Sequence, residues 1–295
     1  MTSNPRVPFR LSTRRPTLAA PDGKRLIVHC VVNVEAWQFD QPMPRTSITP
    51  PHGRDAVPDV PNFSWAEYGM RCGMPRLFDL FGDRDLPVSC SFNAGVIDVY
   101  PDCADAILEA GWEFIGHGLH QSSIQGASDE AGLIDAALDK IRRFSGQKVR
   151  GWLGPGLRES DETPDHLAQA GVEYVCDWVL DDMPCWLTTR HGPMIAMPYT
   201  LELNDSIMFA IERKPSEEFW RRFSDTLERF DREAEGGARI ITLGLHPHLI
   251  AVPHRIGYLE RIIETLTARE DTVFMTGSGI ADWYTQAEPP PSCKQ

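Results

Sequence analysis

The chain has 295 residues, 42% of them hydrophobic and 24% charged, enough for one large domain with a sizeable buried core. Its 42 acidic against 29 basic residues leave a formal charge of -13, which excludes nucleic acid or an anionic membrane as the main partner, since both are held by clustered Lys and Arg. No apolar run approaches the roughly 18–20 residues of a bilayer span, and residues 1–25, although basic, lack the apolar segment of a secretion signal, so the expected location is the cytoplasm.

Apolar runs alternate with helical spacing from residue 26 onward. "RLIVHCVVNVE" (25–35) is a β-branched run typical of a strand buried on both faces. A Pro-rich irregular stretch follows at 39–65, long enough to suggest a cover over a site or a subunit contact. Helical spacing resumes at 68–86, and strand patterns recur at 87–97 and 112–118 around a short helix at 103–111. The helix at 128–146 opens with Ser128 as its expected N-cap and stops on Gly146. Strands at 149–154, 172–178, 194–199, 238–246 and 272–277 alternate with helices at 163–171, 215–234 and 254–269. Repeated βα units imply a parallel sheet, and about seven strands without a visible boundary favour a (β/α) barrel over an open doubly wound sheet. The expected layout is an N-terminal extension (1–25), a single deformed barrel (26–285) and a frayed tail (286–295). Seven scattered cysteines, an odd number without a C-x-x-C pair, are expected to be reduced thiols.

In a parallel α/β fold the C-terminal strand ends share the face that carries sites. Here those ends read Asn33-Val34-Glu35, His117-Gly118-Leu119-His120-Gln121, Gly154-Pro155-Gly156, Asp177 and His246-Pro247-His248. A bland account exists for each: a lone His at a strand end is often structural, Glu35 could pair with Arg158 or Arg255, and Phe219, Trp220 and Phe223 suit a helix core. The coincidence of Glu35, His117 and His246, each ending a separate strand, favours a site. Trp37, Trp152, Trp178 and Tyr199 lie near strand ends and could wall a flat ring, while His254 and Arg255 open a helix where a carboxylate could bind.

The segments "VVNVE", "WEFIGHG", "GWLGPGLRES", "CDWVLDDMPCW", "AMPYTLELND", "GLHPHLIAVPHR" and "GSGIADWY", in order over residues 26 to 285, resemble the polysaccharide deacetylase family. The closer likeness is to its allantoinase-like branch, which hydrolyses carbon–nitrogen bonds of small amides, ureides and cyclic imides. The resemblance implies a deformed (β/α) barrel and a homo-oligomer. Carried over position by position, it puts Asn33 where deacetylases proper have an Asp base and Glu35 at the metal carboxylate. It puts His117 at the first metal histidine, Gln121 at the second, and His246 at the general acid. Asn cannot act as a base, and Gln is a poor ligand for zinc. No tightly held metal is therefore expected. The alternative is one divalent ion such as zinc held by Glu35, His117 and His120, with Asn33 orienting water and Asp177 a substitute base.

The expected function is hydrolysis of a C–N bond in a small cyclic amide, imide or ureide. Glu35 and His246 exchange protons, His117 positions the carbonyl or water, and Asn33, Trp37, Trp152, Asp177, Tyr199, His248 and Arg255 contact the substrate. The rival readings are a polysaccharide or peptidoglycan N-deacetylase and a barrel that only binds a ligand. The expected partner is a small molecule.

Overall fold

A computed structural model describes residues 2–49, 57–233 and 237–291. Nine strands form one curled sheet: β1 (Leu26–Val34), β2 (Ser89–Phe92), β3 (Glu113–Gly116), β4 (Gly151–Trp152), β5 (Tyr174–Val175), β6 (Cys185–Thr189), β7 (Gly192–Ala196), β8 (Arg239–Leu245) and β9 (Thr272–Phe274). The order is β6-β7-β5-β4-β3-β2-β1-β8, with β9 also on β1, and every pairing is parallel except β6 with β7. The deformed (β/α) barrel is thus as expected, with more strands than about seven. Its seam between β7 and β8 is closed only locally, by a bridge from Asn204 to Gly244 and a hydrogen bond from Thr242 Oγ1 to the Pro198 carbonyl at 2.8 Å. The added antiparallel hairpin has a half-exposed first strand, so Cys185–Thr189 lacks the continuous apolar run that marks the buried strands.

Period-two alternation sorts β1 between two cores. Val28, Cys30, Val32 and Val34 face the helices, while Ile27 and Val31 join Ile115, Leu153, Tyr174, Met197 and Tyr199 in a second cluster inside the barrel. Asn33 has the parity of that inner row, and its side chain bonds to Tyr199. Residues of the N-terminal extension belong to the packed body, because Leu18 and Ala20 join the inner cluster and Val7 the outer one. A C-terminal helix, residues Gly277–Ala287, adds Ile280, Ala281 and Tyr284 to the inner cluster.

Helix starts follow local chemistry. The helix Glu130–Ser145 is capped by Asp129, whose carboxylate accepts from the Gly132 amide at 2.9 Å, so the cap lies one residue beyond the expected Ser128. Gly146 ends it in the left-handed region at φ 68°. The stretch 39–65 is only partly irregular: a helix begins at Val60, its Asp59 cap accepting from Asn62, and continues through a wide turn at Gly69–Gly73 into a helix ending at Gly82. Residues 50–56 of the stretch lie outside the described residues. The helical run reaches the strand-end face because two of its residues lack side chains. A Cβ on Gly69 would lie 2.5 Å from the His248 amide nitrogen, and one on Gly73 would collide with the Pro247 carbonyl. Among the described residues no helix is long and apolar enough to cross a membrane, and the six described cysteines are free thiols; Cys293 lies outside them.

Candidate active site

Glu35 follows β1, His117 follows β3 and His246 follows β8, so the sheet brings all three to its C-terminal face. Their relative exposures are 5%, 2% and 5%, which makes every unpaired polar atom among them costly. Neither Arg158 nor Arg255 pairs with Glu35. Its Oε1 faces His246 Nε2 at 3.5 Å instead, while Oε2 is buried without a partner.

His246 is gripped from behind by Asp205, a residue with no solvent exposure. Its ring Nδ1 donates to Asp205 Oδ1 at 2.6 Å and its backbone amide to Oδ2 at 2.7 Å. Burial alone would lower the imidazole pKa, but the charge and hydrogen bond of Asp205, with Glu35 on the other side, raise it to about 9. For Glu35, burial pushes upward and is outweighed by the hydrogen bond and charge of His246, holding the carboxyl at about 2. At neutral pH Glu35 is therefore ionised and His246 is an imidazolium between it and Asp205. His246 carries a proton to give, and its tautomer and ring angle are fixed by Asp205. Sequence reasoning missed Asp205. It lies in "LELND", past β7 and outside any strand or helix pattern, and its only signal was its place at the end of "AMPYTLELND", one of the segments that resemble the deacetylase family.

His117 Nδ1 donates to the Leu153 carbonyl, so Nε2 presents a lone pair; that atom is buried and unpartnered. Burial lowers its pKa and keeps the ring neutral. Gln121 Oε1 is likewise buried without a partner. His120 does not complete a set with Glu35 and His117: its ring packs on Gly95, where an added Cβ would lie 2.8 Å from Nδ1, and no three His, Cys, Asp or Glu side chains form a ligand cluster among the described residues. Two good donors and one amide oxygen do not fit a tightly held zinc ion, which asks for at least three N, S or carboxylate ligands.

The remaining expected residues divide. Trp37 lines a cavity of about 580 Å³ together with Ala36, His120, Gln121, Arg45 and Arg158, directly beside the strand ends that carry Glu35 and His117. Residues Gln41–Arg45 form one wall, so this part of the 39–65 stretch borders the site. His248 sits between Trp65, at 4.9 Å between ring centroids, and His246, at 6.0 Å. Burial, with help from the cations at His246, Arg45 and Arg255, overrides Glu35 and lowers its pKa to about 3, so the ring is neutral. Asn33 donates to Tyr199 Oη at 3.0 Å and to the Leu245 carbonyl at 3.2 Å, and Tyr199 also accepts from Asn204. These two tie the inner wall together across the seam.

Trp152, expected at a site wall, does not line the cavity. It is fully buried on β4 and points outward against Leu138 and the backbone of Gly116, because its neighbour Leu153 takes the inward position of the pleat. Asp177 is not among the residues that line the cavity. Its carboxyl accepts from the Gly154 amide at 2.7 Å, and burial beside Glu159 pushes its pKa well up. Trp178 is bound to Glu159 at 2.7 Å and His254 is exposed. Arg255 stacks on Phe209, 4.2 Å from its ring centroid, and donates from Nη1 to the Leu249 carbonyl, while its buried Nε has no partner.

The profile of the polysaccharide deacetylase family matches residues 65–175. A provisionally named polysaccharide deacetylase of Schizosaccharomyces pombe is 26% identical over 245 residues, covering 76% of each chain. A peptidoglycan deacetylase of Helicobacter pylori is 21% identical over 271 residues, covering 80% of this chain and 91% of its own. Among solved structures, that of the Puue allantoinase superposes with a TM-score of 0.83 at 25% identity, covering 95% of this chain and 96% of its own. The chain is thus similar to polysaccharide deacetylases in sequence, with residues 65–175 matching the family profile, and to an allantoinase in fold over nearly its whole length.

Proposed function

We propose that the protein hydrolyses a carbon–nitrogen bond in a small cyclic amide, imide or ureide, without a tightly bound metal. The match of residues 65–175 to the polysaccharide deacetylase family supports a hydrolase of amide C–N bonds, and the likeness to an allantoinase supports the small-molecule reading. The observation that carries it is the buried line Asp205–His246–Glu35 beside a cavity of about 580 Å³, the size of a small-ligand site.

Glu35 accepts a proton from water as the water attacks the carbonyl carbon, and His246 gives its proton to the departing nitrogen. A carboxylate at about 2 is a weak base while its imidazolium partner stands beside it. As His246 hands its proton on, that partner loses its charge and the basicity of Glu35 rises, so the two transfers assist each other. The buried acceptors on His117 and Gln121 suit the attacking water or a substrate N–H.

The test is a panel of hydantoins, cyclic imides, allantoin and linear ureides, set against acetylated chito-oligosaccharides. Ring opening in the first group, undiminished by a strong chelator, is the expected result. Acetate release from the oligosaccharides, with no turnover in the small-molecule panel, would establish the N-deacetylase reading instead.

A further inference from the structure

We propose that the cavity recognises a carboxylate on the substrate through Arg45 and Arg158, so that the natural substrate is an anionic cyclic amide, imide or ureide. The inference rests on the hydrolase reading of the same site and narrows its substrate class.

The charge of the cavity runs against the charge of the chain. Of its fifteen lining residues none is Asp or Glu and two are Arg, in a protein with 42 acidic and 29 basic residues. A cavity with walls of low polarity focuses such a local excess and raises the concentration of an anion at its mouth. Most other arginines of the molecule are neutralised: Arg150 binds Glu173 and Asp282, Arg222 binds Glu212 and Glu218, and Arg269 binds Asp231 and Asp271. Arg45 and Arg158 have no ion pair among the described residues. Arg45 is half-buried, and its Nη1 is sealed from solvent with no hydrogen-bond partner. Leaving a charged donor in that state costs more than leaving a neutral one, and a ligand oxygen relieves it.

Position agrees with charge. Arg45 lies close enough to His248 for its cation to help hold that ring neutral, and His248 in turn packs on His246. Trp37, two residues after Glu35, offers a flat apolar wall in the same cavity. A ring against Trp37 with its carboxylate toward the guanidinium forks therefore keeps its reacting carbonyl at the strand ends. A planar fork matches a carboxylate in two parallel hydrogen bonds, which a lysine cannot reproduce.

The experiment compares matched pairs, hydantoin with hydantoin-5-acetate and succinimide with its 3-carboxylate, on the wild type and on Arg45→Ala, Arg45→Lys and Arg158→Ala. Calorimetry with succinate and with inorganic phosphate is run beside the kinetics. The expected result is a kcat/KM roughly 10- to 100-fold higher for the carboxylated member, the range of a charged hydrogen bond. Arg45→Ala should reduce it at least tenfold more for the carboxylated than for the neutral partner, and Arg45→Lys should recover only part. Equal kcat/KM within each pair, or equal losses in the variants, overturns the proposal. Phosphate binding tighter than succinate overturns the carboxylate assignment. If no compound of either kind is hydrolysed, the hydrolase reading fails, and succinate binding that is absent, or unchanged in Arg45→Ala and Arg158→Ala, separately overturns the anion site.

Discussion

Replacing Asp205 with Asn tests the centre of the site with little change in volume. Asp205 supplies two oxygen acceptors to His246, at 2.6 and 2.7 Å, and the charge that raises the imidazole to about 9 against the effect of burial. Asn keeps one acceptor and no charge, so the pKa of His246 should return at least to its ordinary 6.5. At pH 8 a group titrating at about 9 is roughly nine-tenths protonated, whereas one titrating at 6.5 is about three-hundredths protonated. With His246 as the proton donor, the activity at pH 8 should therefore fall about 30-fold, and at pH 6 less than about twofold. Misorientation of the ring lowers both by the same factor, so the ratio of rates at the two pH values isolates the charge. The assay is the pH–rate profile on a substrate found in the panel, with the imidazole titrated by NMR. An alkaline limb at the same pH in wild type and Asp205→Asn would refute the argument.

Glu35→Gln and His246→Gln should each lower turnover at least about 100-fold, the usual worth of one proton transfer, while a melting scan shows the fold retained; residual activity above about a tenth removes that residue from the proton path. Stability should decline as pH rises from 6.5 through about 9, because the folded chain holds the His246 proton that the unfolded chain releases; urea titrations across that window, with Asp205→Asn showing a weaker slope, check it. Gly69→Ala places a methyl group 2.5 Å from the His248 amide nitrogen and should cost about 1–3 kcal/mol by overpacking, read as a lowered urea midpoint. Elemental analysis should find zinc far below one per chain in the wild type and a marked rise in Gln121→His, which completes the H-x-x-x-H spacing with His117; full zinc occupancy in the wild type, with chelator-sensitive activity, refutes the metal-free reading.

Strand β1 was legible because nine residues buried on both faces need a mostly apolar run, and only His29 and Asn33 interrupt it. Glu35, His117 and His246 were legible for a related reason. Each breaks such a run at its C-terminal end, and parallel strands must point those ends the same way. The charge on the residues was not legible. The state of His246 depends on Asp205, which lies 41 positions away and is set against it only by the closing seam of the barrel. Trp152 shows the opposite failure, since a tryptophan beside a strand end reads as a site wall until the pleat decides which of Trp152 and Leu153 turns inward. The edge hairpin and the cavity arginine Arg45 belong to the same class. Their partners, or the want of them, come from segments that no local pattern connects. Periodicity and residue type are local properties and were carried by the chain itself; protonation, inward facing and an unpaired cation are properties of neighbours, which only folding supplies.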